Sequence, residues 1–269
     1  MSELITRQSG IWQTNSTILA ADGLCLVVDP AYFPRELDEL AALASARGGA
    51  AAVVFTHGHW DHVGGWQSFP GAAVWASPSL AAAFAGDTDE ARKNLDALRD
   101  FDGRWYVDRP WPHAWPPTVR GLADGEEVAL GPIAARALCL PGHSPDGLAL
   151  HVPEHRLLLP GDYLSPCEIP FVADLAAYRA TLRRLATLLA DIDIVIPGHG
   201  PRLDRATAAR ILEEDLDYLD PLAALAGAGD VAGALALPLP RAAAVPGMRD
   251  HHRDNCAAAG LRVEAGDIQ

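Results

Sequence analysis

Apolar positions along the chain fall into short strand-like runs and longer helical stripes. Ser16–Ala20 and Leu24–Asp29 flank an Ala-Asp-Gly turn, a spacing that predicts a hairpin. Pro34 opens a helix over Arg35–Arg47, with Leu37, Leu40 and Ala44 on one face and Gly48-Gly49 as its stop. Ala51–Thr56 is a short apolar run and reads as a buried strand. Ala72–Ala76 is the next strand, Pro78 starts a short helix, and Asp89–Phe101 has a helical pattern. Strands resume at Glu127–Leu130, Ile133–Leu140, Leu148–Val152 and Arg156–Leu159, separated by Gly, Pro or acidic turns. Asp174–Ala190 carries the clearest helix: Leu175, Tyr178, Leu182, Leu185 and Leu189 step by three and four along one face. Ile192–Ile196 is another buried strand. From Asp204 onward helices are expected at Ala206–Leu219 and Met248–Leu261, joined by an Ala/Gly/Pro-rich link. Strands in two blocks, each followed by helices, predict two mixed sheets with helices outside rather than one parallel sheet.

One segment breaks this pattern. Gly103–Gly121 sets Trp105, Tyr106, Trp111 and Trp115 among prolines and shows neither period. It is read either as a structural loop or as a lid lining an apolar pocket. The expected organisation is a core at 1–204, with this Trp/Pro-rich insertion at about 85–125, and a helical extension at 205–269 packed on the same domain. Lys and Arg total 21 against 35 Asp and Glu, a net charge of −14, which argues against nucleic acid as a partner. The start of the chain shows no signal peptide. The apolar tail Val231–Val245 is interrupted by Pro238, Pro240 and Arg241, so no membrane partner is expected. Four scattered cysteines without a CxxC pair fit reduced thiols and a cytoplasmic location. A homodimer is left open.

The chemistry lies in the histidines. The strand Ala51–Thr56 runs straight into His57-Gly58-His59-Trp60-Asp61-His62, four metal-ligand side chains within six residues. Three later strands end in the same kind of tight turn with one such side chain: Pro141-Gly142-His143, Pro160-Gly161-Asp162 and Pro197-Gly198-His199. A lone Pro-Gly turn says little. Five His and two Asp together suffice for two ions. Trp60 and Trp66 are read as walls beside the ligand loop, His113, His151 and His155 as surface residues. His251 and His252, at the head of the last helix, are read as capping or packing residues, with a pocket rim within reach of one of them.

Over residues 10 to about 200 this pattern resembles the metallo-β-lactamase superfamily. The resemblance implies an α/β fold, an αββα sandwich with a dinuclear metal site at one edge of its sheets. It implies that His57, His59 and His143 hold the first divalent ion, Asp61, His62 and His199 the second, and that Asp162 bridges them. Zinc is the first expectation, iron or manganese the alternatives. A metal-bridging hydroxide would be the nucleophile, with Asp61 orienting it and moving its proton. The expected reaction is hydrolysis of a carboxylic ester, thioester or lactone in a small molecule with an apolar portion. The presence of Asp162 points to the glyoxalase II-like, lactonase-like and thioesterase-like branches. Trp60, Trp105, Tyr106, Trp111 and Trp115 are the candidate substrate-binding residues. Two alternatives stand beside this: hydrolysis of a small phosphodiester or phosphonate, and a di-iron redox protein or metal-bearing binding protein without turnover.

Overall fold

A computed structural model describes residues 2–86, 88–241 and 247–263. Its strands form two six-stranded sheets. The first runs in the order β1 (Glu3–Gln8), β2 (Asn15–Ala21), β3 (Leu24–Val28), β4 (Ala50–Val54), β5 (Ala73–Ala76) and β6 (Arg120–Gly121). β1 to β3 pair antiparallel, and β3 to β6 pair parallel. The second sheet places β12 (Leu203–Asp204), β11 (Ile194–Val195), β10 (Leu157–Leu159), β9 (Leu148–Val152), β8 (Ile133–Cys139) and β7 (Glu127–Leu130) side by side. Only the β10–β11 pair is parallel there.

Strand periodicity assigns the layers. In β3, Leu26 and Val28 point at the second sheet, where they meet Ile133, Ala135, Leu148 and Leu150. Cys25 and Val27 point the other way, into a cluster with Leu40 and Ala44 of α1 (Pro34–Ser45) and Leu80 of α3 (Pro78–Ala85). The outer face of the second sheet offers Leu138, Ala149 and Leu158 to Leu182 and Leu185 of α5 (Leu175–Leu188) and Ile211 of α6 (Arg205–Ala228). The result is the expected αββα sandwich. The middle strands of both sheets are covered on both faces, which is why strands such as β4 read as unbroken apolar runs rather than as alternations.

Among the described residues the remaining α-helices are α2 (Trp60–Val63), α4 (Asp89–Trp105), α7 (Val231–Leu235) and α8 (Met248–Ala258). Part of the link between α7 and α8, residues 242–246, lies outside the described residues. Among the described residues no helix is long and apolar enough to cross a membrane. β1 and the two-residue β6 were not expected. α4 runs on to Trp105, and α6 continues through Pro221 to Ala228. The segment after α4 lacks regular structure but is tied down. Arg109 is buried against Asp102, which also accepts from the Tyr32 hydroxyl (2.7 Å) and His113 Nε2 (2.8 Å).

Candidate metal centre

The potential donors stand just beyond strand ends on one edge of the sandwich. His57 and His59 follow β4, and α2 turns Asp61 and His62 back towards them. His143, Asp162 and His199 follow β8, β10 and β11. The glycines of these turns are needed for space. A Cβ on Gly198 would lie 1.9 Å from Asp162 Oδ1, and one on Gly142, whose φ is +133°, would lie 2.3 Å from Tyr178 Cα.

The structure brings all seven side chains together as two adjoining clusters, His57, His59, His143 and Asp162 beside Asp61, His62 and His199. In the first, His59 Nδ1 is 2.9 Å from His57 Nε2 and 3.1 Å from His143 Nε2. In the second, His62 Nε2 is 3.2 Å from His199 Nε2 and 3.4 Å from Asp61 Oδ2. Asp162 faces both: Oδ2 lies 3.4, 3.3 and 3.3 Å from Nε2 of His57, His143 and His199, and Oδ1 lies 3.3 Å from His62 Nε2. Ligands held at zinc-like bond lengths on a tetrahedron stand about 3.3 Å apart, close to these separations.

Hydrogen-bond direction shows which imidazole nitrogens are turned inward, where they can hold a cation. The carbonyl oxygens of Phe171 and Trp12 can only accept, so His143 and His199 must each donate from Nδ1 (both 3.0 Å). In their neutral forms Nε2 is then a bare lone pair aimed inward. His62 Nδ1 is likewise turned to the Asp29 carboxylate at 3.0 Å, and His57 Nδ1 to the Thr56 hydroxyl at 3.2 Å. Asp162 Oδ1 is buried with no hydrogen-bond partner among the described residues. Converging imidazole lone pairs around a carboxylate, four of them backed by an oxygen behind the ring, are the donor set of a metal site.

A model of the metallo-beta-lactamase superfamily matches residues 9–199, a span that includes all seven donors. The chain belongs to the metallo-beta-lactamase superfamily. Among its relatives is the acyl-coenzyme A thioesterase MBLAC2 of Gallus gallus, 31% identical over 161 residues, or 55% of each chain. A hydroxyacylglutathione hydrolase of Aeromonas salmonicida is 28% identical over 71% of this chain and 63% of its own. The match thus spans little more than half of the first of these relatives. Among solved structures, the family protein TTHA1429 of Thermus thermophilus covers 96% of this chain and 94% of its own at 22% identity and a TM-score of 0.65, a likeness of fold. TTHA1623, solved in a di-iron-bound form, is 26% identical over 77% of this chain and 98% of its own, with a TM-score of 0.59.

Electrostatics in this superfamily site divide the histidines. Burial pushes His143 well below its ordinary range and His59 down to about 4, with neighbouring imidazoles adding to the effect. Burial also disfavours charge on His62 and His199, but carboxylates outweigh it, above all that of Asp162. His62 rises well above the ordinary value and His199 to about 9. Asp162 itself is held far below the carboxylate range, its burial overcome by His62, His199 and His57.

A cavity of about 350 Å³ opens beside the centre, with Trp12, Trp60, Glu168, Phe171, Met248 and His251 in its walls. Of the aromatic residues expected to line it, only Trp60 does so. Trp105 and Tyr106 project into solvent at 62% and 92% exposure. Trp111 is half-buried away from the cavity walls. Trp115 packs into the core, stacked on Phe84 with its indole N–H donated to the Ala91 carbonyl. His113, expected at the surface, pairs with Asp102. Of the two histidines on α8, His251 reaches the cavity and His252 is buried between the Tyr218 hydroxyl and the Ala234 carbonyl. Sequence reasoning missed Asp29, Trp12, Glu168 and Phe171. Only Asp29, a charged residue at the end of an apolar strand, carried a visible signal.

Proposed function

We propose that this chain hydrolyses a carboxylic ester, thioester or lactone, with a thioester as the first choice. The observation that carries the reading is Asp162, which faces both histidine clusters: its Oδ2 lies 3.4, 3.3 and 3.3 Å from His57, His143 and His199, and its Oδ1 lies 3.3 Å from His62. His57, His59 and His143 would hold one divalent ion, Asp61, His62 and His199 a second, and Asp162 would join them. Such a pair supplies, when bound, water ionised near neutral pH and an electrophile for the carbonyl oxygen. Asp61 sits on the cavity wall, its Oδ2 3.4 Å from the Thr14 hydroxyl, where it can orient the attacking water and accept its proton. Water oxygen joins the acyl carbon, the carbon–sulfur or carbon–oxygen bond breaks, and the proton leaves with the thiol or alcohol. Trp60, Phe171 and Met248 exclude bulk water and offer an apolar surface to the substrate. One relative named as an acyl-coenzyme A thioesterase and another named as a hydroxyacylglutathione hydrolase support the choice of bond. Zinc and iron both suit the donor set, and the di-iron form of TTHA1623 supports iron as well as zinc.

Elemental analysis should find close to two transition-metal ions per chain. A panel of thioesters, lactones, aryl esters, phosphodiesters and β-lactams, run on metal-loaded protein, then ranks the reactions. Faster turnover of phosphodiesters than of every acyl substrate would overturn the proposal.

A further inference from the structure

The cavity beside the metal centre has a charge pattern that the hydrolytic reading does not require. None of its described lining residues is Lys or Arg. The residues outside the described ranges contain no Lys or Arg either. Glu168 stands in the wall with no ion pair to a Lys or Arg among the described residues. The guanidinium of Arg241 does approach Glu168, but it donates to the backbone carbonyl (3.1 Å), and its other nitrogens bind Glu214 and Asp215. Burial pushes the Glu168 carboxyl up to about 7 against the pull of His199, and a cationic ligand beside it would favour its ionised form.

Opposite in character, but in the same cavity, are the indoles of Trp12 and Trp60. Their ring centroids are 5.2 Å apart at an interplanar angle of 63°, an edge-to-face contact, and Trp60 is backed by Tyr32 and Phe101. Trp12 is 52% exposed despite its size, which leaves much of its surface open to a ligand. Trp faces are the strongest aromatic partners for alkylammonium groups. Phe171 and Met248 add apolar wall. The neighbouring depression, which shares Trp60 and Ala97, carries one acid and one base, Asp100 and Arg104, and adds no net charge. The net charge of −14 draws cations towards the protein as a whole.

Resting on the hydrolase reading above, we propose that the substrate bears a quaternary ammonium group, held in this cavity by Glu168 and the indoles of Trp12 and Trp60. Glu168 lines the same cavity as His199, Asp162 and Asp61, so a cation held there keeps a neighbouring ester or thioester close to the metal centre. The proposal disfavours polyanionic thiols as the leaving group, because beyond the metal centre itself the described cavity wall has no Lys or Arg to receive them.

Choline and 3,3-dimethyl-1-butanol share a shape and differ in charge, so their affinities for the full-length protein isolate the cation effect. Calorimetry, with quenching of indole fluorescence alongside, should show choline binding at least tenfold more tightly. Glu168→Gln should bring the two within about twofold. Butyrylthiocholine should exceed its uncharged 3,3-dimethylbutyl counterpart at least tenfold in kcat/KM, and the variant should close that gap too. If Glu168→Gln does not fold, the two wild-type comparisons decide the matter alone. Equal affinities for the two alcohols would overturn the proposal, as would a preference for coenzyme A or glutathione thioesters. Thioester cleavage without a choline preference sinks the cation site and spares the hydrolase. A choline preference without cleavage of any acyl substrate does the reverse.

Discussion

Replacing Asp29 by Asn asks whether the second metal position depends on where His62 carries its proton. Asp29 is 2% exposed and accepts three hydrogen bonds: from Thr56 N (2.8 Å), the Thr56 hydroxyl (2.6 Å) and His62 Nδ1 (3.0 Å). Asparagine keeps one acceptor, which the Thr56 amide takes. Its NH2 group then faces the hydroxyl and His62 Nδ1, where donors stood before. The hydroxyl can turn. His62 can only shift its proton to Nε2, the nitrogen 3.2 Å from His199 Nε2 and 3.3 Å from Asp162 Oδ1. That proton occupies the lone pair needed for a metal. Loss of a partner behind a ligating histidine typically weakens metal binding by about 10–100-fold, or roughly 1.4–2.7 kcal/mol. Metal titration against a chromophoric chelator should show the first ion bound as in the wild type and the second weakened by that factor. Two ions retained at wild-type affinity in a folded Asp29→Asn protein would refute the reasoning.

Other perturbations follow from the same geometry. Gly198→Ala creates no backbone strain, but its Cβ meets Asp162 Oδ1 at 1.9 Å and His62 Cε1 at 3.0 Å, so metal content should fall in elemental analysis while the far-UV circular dichroism is unchanged. Burial works against ionised Asp102, but Arg109, Tyr32 and His113 hold its carboxyl below the ordinary 3.8. Its contribution to stability is therefore complete above that value and is lost as pH falls through the lower folded value. Asp102→Asn leaves the buried Arg109 unpaired and should cost about 3–5 kcal/mol at pH 7. Urea melts at pH 7 and pH 3 should show the deficit shrinking in acid. Asn255 of α8 donates to Pro170 O (2.6 Å) and accepts from Val172 N (2.9 Å), on either side of the Phe171 carbonyl that orients His143. Asn255→Ala should cost roughly 1–3 kcal/mol in a thermal melt and lower metal occupancy with it.

The parts of the fold legible in the sequence are those where burial leaves a simple pattern. β3, β4 and α5 are covered on one or both faces, so their apolar residues run together or step by three and four. β1 escaped notice because its six residues stand at a sheet edge and none is fully buried, which leaves no face to mark in the pattern. β6 is two exposed residues whose strand character comes only from pairing with β5. The extent of α6 was missed because Pro221 reads as a stop, yet a helix covered on its apolar face tolerates one. The donors were legible because each follows an apolar strand in a Pro-Gly turn or in the HxHxDH run. The cavity was not. Its walls come from the β1–β2 connection, α4, the stretch after β10 and α8, and nothing local to Trp12 or Glu168 tells of the others. The error over Trp115 has the same origin: an aromatic among prolines looks like a pocket wall until Phe84 and the Ala91 carbonyl are seen beside it.

What holds the seven donors in place bears on what metal removal does. One sheet supplies His57 to His62, the other His143, Asp162 and His199, so the centre exists only while the sheets keep their relative position. That position is set by hydrogen bonds to the backbone at the same edge. Asn15 N donates to Gly198 O (2.7 Å), its side chain donates to Pro197 O and Gly200 O (2.8 and 2.7 Å), and Leu148 N donates to Thr56 O (2.6 Å). None of these needs an ion, and the apolar cluster between the sheets lies behind them. Small metal-dependent folds lack such a core and unfold on chelation. Here the stripped protein should keep its far-UV circular dichroism and a single cooperative melt. The midpoint should shift only by the linkage contribution, which grows with free metal concentration as RT ln(1 + [L]/Kd). The carboxylates of Asp61 and Asp162 then keep the imidazoles as their charge partners. A chelated protein that loses its cooperative melt would mean that the ions, and not the strand-edge hydrogen bonds, join the two halves.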